Sequence, residues 1–327
     1  GAGGIRLVAG TSVTLGGLET GGNVSIRAVS GSIVDGGDTD VDVIGGGLRL
    51  SAGVGIGSLG GGTDNAIETT VTNVSARATS GGINLLESDN LFVNDVVVSV
   101  SKVAATGLAT ATATTGNDAV QADVRTTAGN GSIVLRTLDG TLLLNPGSSD
   151  TADAGALAAH GSGNILLQAR ETTTATTANV TFNANSDLVS GSGNISLLAA
   201  DNVILNAGVD IATGGAGSLD VWAETTGGGI SMNAASSFTT AAGNIRLLAA
   251  NNVTLGDIVS TSGSVSITAT AGSITDADAR LDSDNDISAI GLRMEAGKNI
   301  GVLGSSTDNA LEISVDVVSA RAATGGI

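Results

Sequence analysis

Aspartates at alternate positions are the residues of this chain most able to do chemistry. Asp38, Asp40 and Asp42 form one run, Asp282, Asp284 and Asp286 form a second, and Asp35 and Asp276 lie just ahead of each. Carboxylates every second residue share one side of an extended chain, or can wrap an ion if the segment loops; Ca²⁺ takes roughly six to eight oxygen ligands and suits that density. The six residues are therefore candidate Ca²⁺ ligands. No glycine and distal glutamate complete a helix-loop-helix calcium pattern, and the Gly-Gly-x-Gly-x-Asp signature of calcium-binding β-rolls is missing, so a solvated acidic loop is the competing reading.

Other chemistry finds little support. The only histidine, His160, stands in an Ala, Gly and Ser stretch that reads as an exposed turn, and there is no cysteine, so hydroxyl-imidazole catalysis and soft-metal sites lack their groups. Paired carboxylates could hydrolyse or lyse a glycan, but sugar sites generally need aromatic platforms, and this chain has one Trp, three Phe and no Tyr. Trp222 follows Val221 in an alternating stretch and is expected to point outward, as a surface or contact residue. The Thr runs 110–115 and 172–177 do not recur at a regular coil period, which argues against ice binding, and Gly227-Gly228-Gly229 lacks the lysine and helix of a phosphate cradle. The expectation is no enzyme, and no catalytic residues are assigned.

The composition says what must position these residues. The 327 residues are 41% hydrophobic and 13% charged, so a sizeable core is available despite a net charge of −18. With so few aromatics that core is made of Val, Ile, Leu and Ala. Fifty glycines with a single Pro exclude collagen. A pI near 4.1 with 13 scattered Lys and Arg argues against nucleic acid and anionic membranes as partners. No apolar run approaches membrane-spanning length, and no leader is visible, so membrane insertion is not expected of this stretch.

Two repeats are nested in the chain. Ile5-Arg6-Leu7 returns as Ile245-Arg246-Leu247, and Val13-Thr14-Leu15-Gly16 returns as Val253-Thr254-Leu255-Gly256, both at an offset of 240. The offset grows to 244 by Val74-Ser75-Ala76-Arg77-Ala78, which returns as Val318-Ser319-Ala320-Arg321-Ala322; the Thr-Asp-Asn-Ala segments at 63 and 307, read as turns, share it. Residues 1–240 thus form one copy of a unit of about 240–244 residues, and 241–327 begin the next. Inside it runs a short motif: Gly, then Gly, Asn or Ser, then two aliphatics one residue apart. It starts at Gly3, Gly22, Gly46, Gly81, Gly131, Gly163, Gly193, Gly217, Gly243 and Gly263. A second aliphatic pair often follows eight residues later, as in Ile195 and Leu197 then Val203 and Leu205, and a third strand is expected near Ile258.

Period-two aliphatics in short runs separated by Gly and Asn indicate strands and turns. Single coils cannot bury their own aliphatics; stacking them at about 4.8 Å closes a continuous core. The expectation is all-β: a right-handed parallel β-helix (β-solenoid) over 1–327 as one continuous domain. Coils of roughly 20 residues would make an elongated rod of roughly 16 coils, with Gly and Asn supplying positive φ at the corners. Wide gaps, such as Gly81 to Gly131, imply irregular coils or loops. The segments Gly243 to Leu255 and Gly193 to Leu205 (Gly-Asn-Ile-x-Leu-x-Ala-x-x-Asn-Val-x-Leu, with Asp-Asn in the latter) resemble repeats of the filamentous haemagglutinin family of giant surface adhesins. The resemblance spans most of the chain and weakens between about Asp89 and Asn130.

That resemblance implies export across a bacterial envelope and an extracellular, cell-surface role as a structural stalk or filament mediating attachment or fibre formation. Further copies of the repeat, neighbouring chains or surface glycans would be its partners. A carbohydrate-binding or carbohydrate-cleaving β-solenoid is the alternative, and would need a groove lined by aromatics and clustered carboxylates.

Overall fold

A computed structural model describes residues 3–37, 39–60, 65–103, 115–147, 155–172, 177–225, 227–278, 285–302 and 310–327, with the side chains of 115 and 116 left aside. Among these there is no helix, and all pairings but one are parallel. The chain is a parallel β-helix with three faces around one aliphatic core.

The second face shows the stacking most simply. Val13 pairs with Ile33, and the ladder continues through Ile56, Ile83, Ile133, Ile165, Ile195, Leu219, Ile245, Val265, Leu292 and Val318. Each residue sits over its like, so a single row of branched side chains runs the length of the core. The shortest coils have the expected size: Phe238 stacks on Ile258, 20 positions on. Others are wider, as from Val124 to Leu157, 33 positions apart, because loops leave the corners. Twelve levels therefore take the place of the roughly 16 that uniform coils would give. Phe182 and Phe238 also join the aliphatic core, both fully buried.

Gly and Asn residues between strands do supply positive φ as expected, but the glycines of the short motif serve another purpose. None of them has positive φ among the described residues; the values above zero belong to others, such as Gly161, Gly208, Asn130 and Asn185. Their constraint is close approach between coils. A Cβ on Gly163 would lie 2.2 Å from the Gly131 carbonyl oxygen, one on Gly193 2.1 Å from that of Gly163, and one on Gly243 1.8 Å from that of Gly217. Buried hydroxyls fill the same corner: Ser190 Oγ donates to the Gly163 carbonyl at 2.8 Å and Thr213 Oγ1 to that of Gly193 at 2.6 Å. The motif asparagines also act through side chains. Asn164 Oδ1 accepts the Asn194 amide at 2.8 Å and Asn194 Oδ1 accepts the Ser218 amide at 2.9 Å, a polar ladder climbing coil by coil.

The long repeat does not close on itself. From Val13 to Ile245 is eight steps up the second face, and Ile5 lies one face before Val13. Ile5 and its sequence equivalent Ile245 are therefore eight coils and one face apart. The shift arises where two motif-length strands follow one another, Ile67–Ala78 (which stacks Val74 on Leu48 of the first face) and Ile83–Glu87 (which enters the second). Before them the Gly motif opens first-face strands; after them it opens second-face strands.

The one antiparallel element among the described residues is a hairpin of Val96–Ser101 and Thr115–Gln121, within the stretch where the motif fades. It lies across the first four strands of the first face. Gln121 Nε2 donates to the Leu50 carbonyl at 2.9 Å, Arg49 Nε to the Ala119 carbonyl at 3.1 Å, and Asn23 Nδ2 to the Val97 carbonyl at 3.0 Å. Asp118 is its anchor, accepting Arg6 Nε at 2.8 Å, Arg6 Nη2 at 2.9 Å and Ser25 Oγ at 2.7 Å.

Candidate functional site

The Asp runs divide on folding. Asp38, Asp282 and Asp284 lie outside the described residues, and Asp40 is exposed. Asp42 and Asp286 each enter a three-carboxylate cluster whose other members come from neighbouring strands and coils. Asp35, Asp42 and Glu68 offer carboxylate oxygens all within 4.8 Å of one another, and so do Asp276, Asp286 and Glu312. The second trio is the sequence equivalent of the first, at offsets of 241, 244 and 244.

Backbone geometry holds both clusters in the same way. Asp35 ends the strand Ile33–Asp35, and its Oδ1 accepts the Gly37 amide at 3.0 Å; Asp276 Oδ1 accepts the Asp278 amide at 3.0 Å. Asp42 Oδ2 takes the Glu68 amide at 3.1 Å, and Asp286 Oδ2 that of Glu312 at 2.8 Å. Each pair thus ties two successive coils together at one corner.

Crowding carboxylates away from water disfavours their charged forms. Burial, with the charges of Asp35 and Asp42, pushes Glu68 up to about 7. Burial, with Asp276 and Glu312, pushes Asp286 up to about 8, and Asp276 is also raised, first by burial. Asp42 is only 2% exposed and Glu68 8%, whereas all three members of the second trio are half-buried. A surface pocket of about 230 Å³ opens beside Glu68, lined also by Thr39, Val41, Thr69, Leu86 and Leu138.

No family model matches this chain, and no curated protein or solved structure is similar to it. What the clusters can do must be read from their own chemistry: all-oxygen, triply acidic sites at corners between coils, suited to a hard cation or a shared proton. His160 is exposed at a corner. Trp222 points outward, 38% exposed, flanked up and down the second face by Leu198 and Leu248. No aromatic side chain lines the pocket at Glu68. The Thr run 172–177 falls mostly outside the described residues, as does most of 110–115. No helix among the described residues is long and apolar enough to cross a membrane.

Glu68 and Glu312 are the members that the Asp pattern does not reveal. They stand 26 positions after Asp42 and Asp286, one coil further along. Their signal is their recurrence as Ile67-Glu68 and Leu311-Glu312 at the same offset as the Asp runs, an acidic residue beside an aliphatic at a strand start.

Proposed function

We propose that the chain is a structural rod, a segment of the stalk of a secreted bacterial adhesin or surface filament, in which coils stack to project or polymerise rather than to catalyse. One observation carries this reading: the ladders and the core run uninterrupted from the first described coil to the last, and both outermost coils are ready to be continued. The strand Ile313–Ala322 pairs on one side only, with Ile287–Ala296, and its Val317 is 67% exposed. Met294, Ile300, Leu311, Ile313 and Val318 surround an apolar hollow of about 400 Å³ there. A further coil of the same kind would fill it and continue every ladder, so more of the same repeat, in this chain or another, is the natural partner.

The fractional turn gives such a rod a particular surface. At about 4.8 Å per coil, eight and a third coils advance about 40 Å. Each copy would display its features one face further round, returning to the starting direction after the third copy. An attachment feature repeated in every copy would then point to all sides of the stalk.

Small-angle scattering on chains with one, two and three complete copies tests this. The cross-section should stay constant while the length grows by about 40 Å per copy. Growth in cross-section, or a globule that thickens with copy number, would refute the rod. Release of reducing ends from surface polysaccharides by this chain would favour a carbohydrate-cleaving role instead.

A further inference from the structure

Among the clusters, grooves and buried charges of the molecule, the carboxylate trios are the ones whose geometry asks for something more. Glu68 is more than nine-tenths buried, and its Oε2 is sealed from water without a hydrogen-bond partner; Asp35 Oδ2 is sealed and unpartnered too. A buried carboxylate oxygen left without a donor is costly, and two at one corner amount to a strong demand for positive charge. Among the described residues, no ion pair involves Asp35 or Glu68.

We infer that each copy of the long repeat holds one Ca²⁺ ion, bound by Asp35, Asp42 and Glu68 in the first copy and by Asp276, Asp286 and Glu312 in the second. Oxygens mutually within 4.8 Å fit round a single ion at Ca–O distances of roughly 2.3–2.6 Å. Backbone amides fix one oxygen of each Asp, so the carboxylates are oriented before any ion arrives. The all-oxygen donor set excludes a preference for zinc or copper, which would draw on His or Cys. The pocket of about 230 Å³ beside Glu68 leaves space for solvent next to that one member of the trio. Because the trio recurs in a second copy that faces a different direction, it does not depend on one local accident of packing.

Bound there, the ion would cross-link successive coils. Asp42 and Glu68 lie on neighbouring strands of one ladder, so its removal should loosen that corner while leaving the rest of the ladder paired. This inference does not depend on the rod reading, and a rod that binds no Ca²⁺ would leave that reading intact.

Calorimetric titration of the whole chain, stripped with a chelator, with CaCl₂ at pH 7.5 tests it. The expected result is two ions per chain. The Asp42→Asn, Glu68→Gln double variant should bind one, and the Asp286→Asn, Glu312→Gln variant should bind the other one, each lost site weakened at least tenfold. Should the first variant fold poorly, Glu312→Gln alone, in the outermost coil, must still lower the stoichiometry or affinity of one site. Absence of heat and of any thermal shift at millimolar Ca²⁺ overturns the inference. So does binding that both double variants leave unchanged, or a Glu68→Gln chain that is more stable at pH 8 and as indifferent to Ca²⁺ as the parent, which would mean that a shared proton is all the trio holds.

Discussion

Gly3 and Gly243, Arg6 and Arg246, and the trios around Glu68 and Glu312 are the same sequence positions met in two surroundings. In the first copy Arg6 lies beneath the hairpin, where Asp118 takes it with two hydrogen bonds; in the second, Arg246 meets Asp220 in the open, both about half to one-third exposed. Glu68 is covered because a further coil, entered by Ile83–Glu87, pairs with Ile67–Ala78; the strand after Glu312 has no such cover. The residue supplies the chemistry, and the coil stacked on it sets the burial. In a solenoid a residue's environment is a property of the neighbouring repeat.

The sharpest way to break that comparison is at the glycines. A Cβ on Gly3 would meet nothing within 4 Å, whereas on Gly243 it would lie 1.8 Å from the backbone oxygen of Gly217, which cannot step aside without parting two coils. Gly243→Ala should destabilise by about 3 kcal/mol or more, and Gly3→Ala by less than about 0.5 kcal/mol. Urea unfolding of the two variants side by side measures this. Equal effects would mean that the motif glycines serve chain flexibility, not coil contact.

The covering coil brings a second effect. Glu87, fully buried on that coil, accepts Thr69 Oγ1 at 2.7 Å and the Val71 amide at 3.1 Å, but no cation among the described residues pairs with it, and burial pushes it up to about 7. With an ordinary value of 4.5, the folded chain holds this proton more tightly than the unfolded one. Its contribution to stability is therefore complete below about 4.5 and disappears as pH rises through about 7. Raising pH from 5 to 8 should lower stability by on the order of 2–3 kcal/mol through this group. In the Ca²⁺-free chain Glu68 and Asp286 act in the same direction. Glu87→Gln keeps acceptors for the Val71 and Ser88 amides, so it should stabilise the chain at pH 8 and flatten the profile; an unchanged profile would show that the group stays ionised at no penalty.

Much of this was legible in the sequence. Aliphatics two apart after each Gly, as in Ile195 and Leu197, announced strands, faces and the stacked core, because period two has one geometric meaning. The corners were harder. Gly and Asn do supply positive φ at corners, as at Gly161 and Asn185, but Gly163 and Asn164 act across coils, through a missing Cβ and through an amide side chain, and contact between coils depends on register that no local window contains. The same blindness hid Glu68, which joins Asp42 only because a coil of 26 residues brings it back to the same corner. The hairpin left only a negative trace, a stretch where the motif lapses, since antiparallel strands such as Val96–Ser101 use the same alternation as the coils they cover. The third of a turn per copy could be found only by following the ladders.

The smallest expected effect concerns the two arginines, and it isolates the hairpin. Burial alone would raise Asp118, but the hydrogen bonds from Arg6 and Ser25, with the charges of Arg6 and Arg49, outweigh it and hold the carboxyl below its usual range. Its stabilisation is therefore present at neutral pH and lost as pH falls through the depressed value, the opposite sense to Glu87. Asp118→Asn leaves Arg6 and Arg49 beneath the hairpin without their counter-charge and should destabilise by about 2 kcal/mol, whereas Asp220→Asn, beside exposed Arg246, should shift stability by about 0.5 kcal/mol or less. Hydrogen exchange locates the difference: Asp118→Asn should speed exchange across Val96–Ser101 and Thr115–Gln121 while the coils beneath keep their protection, since their ladders do not run through the hairpin. Protection lost from the first four coils together with the hairpin would show that the hairpin helps to hold the stack, not merely to shield its arginines.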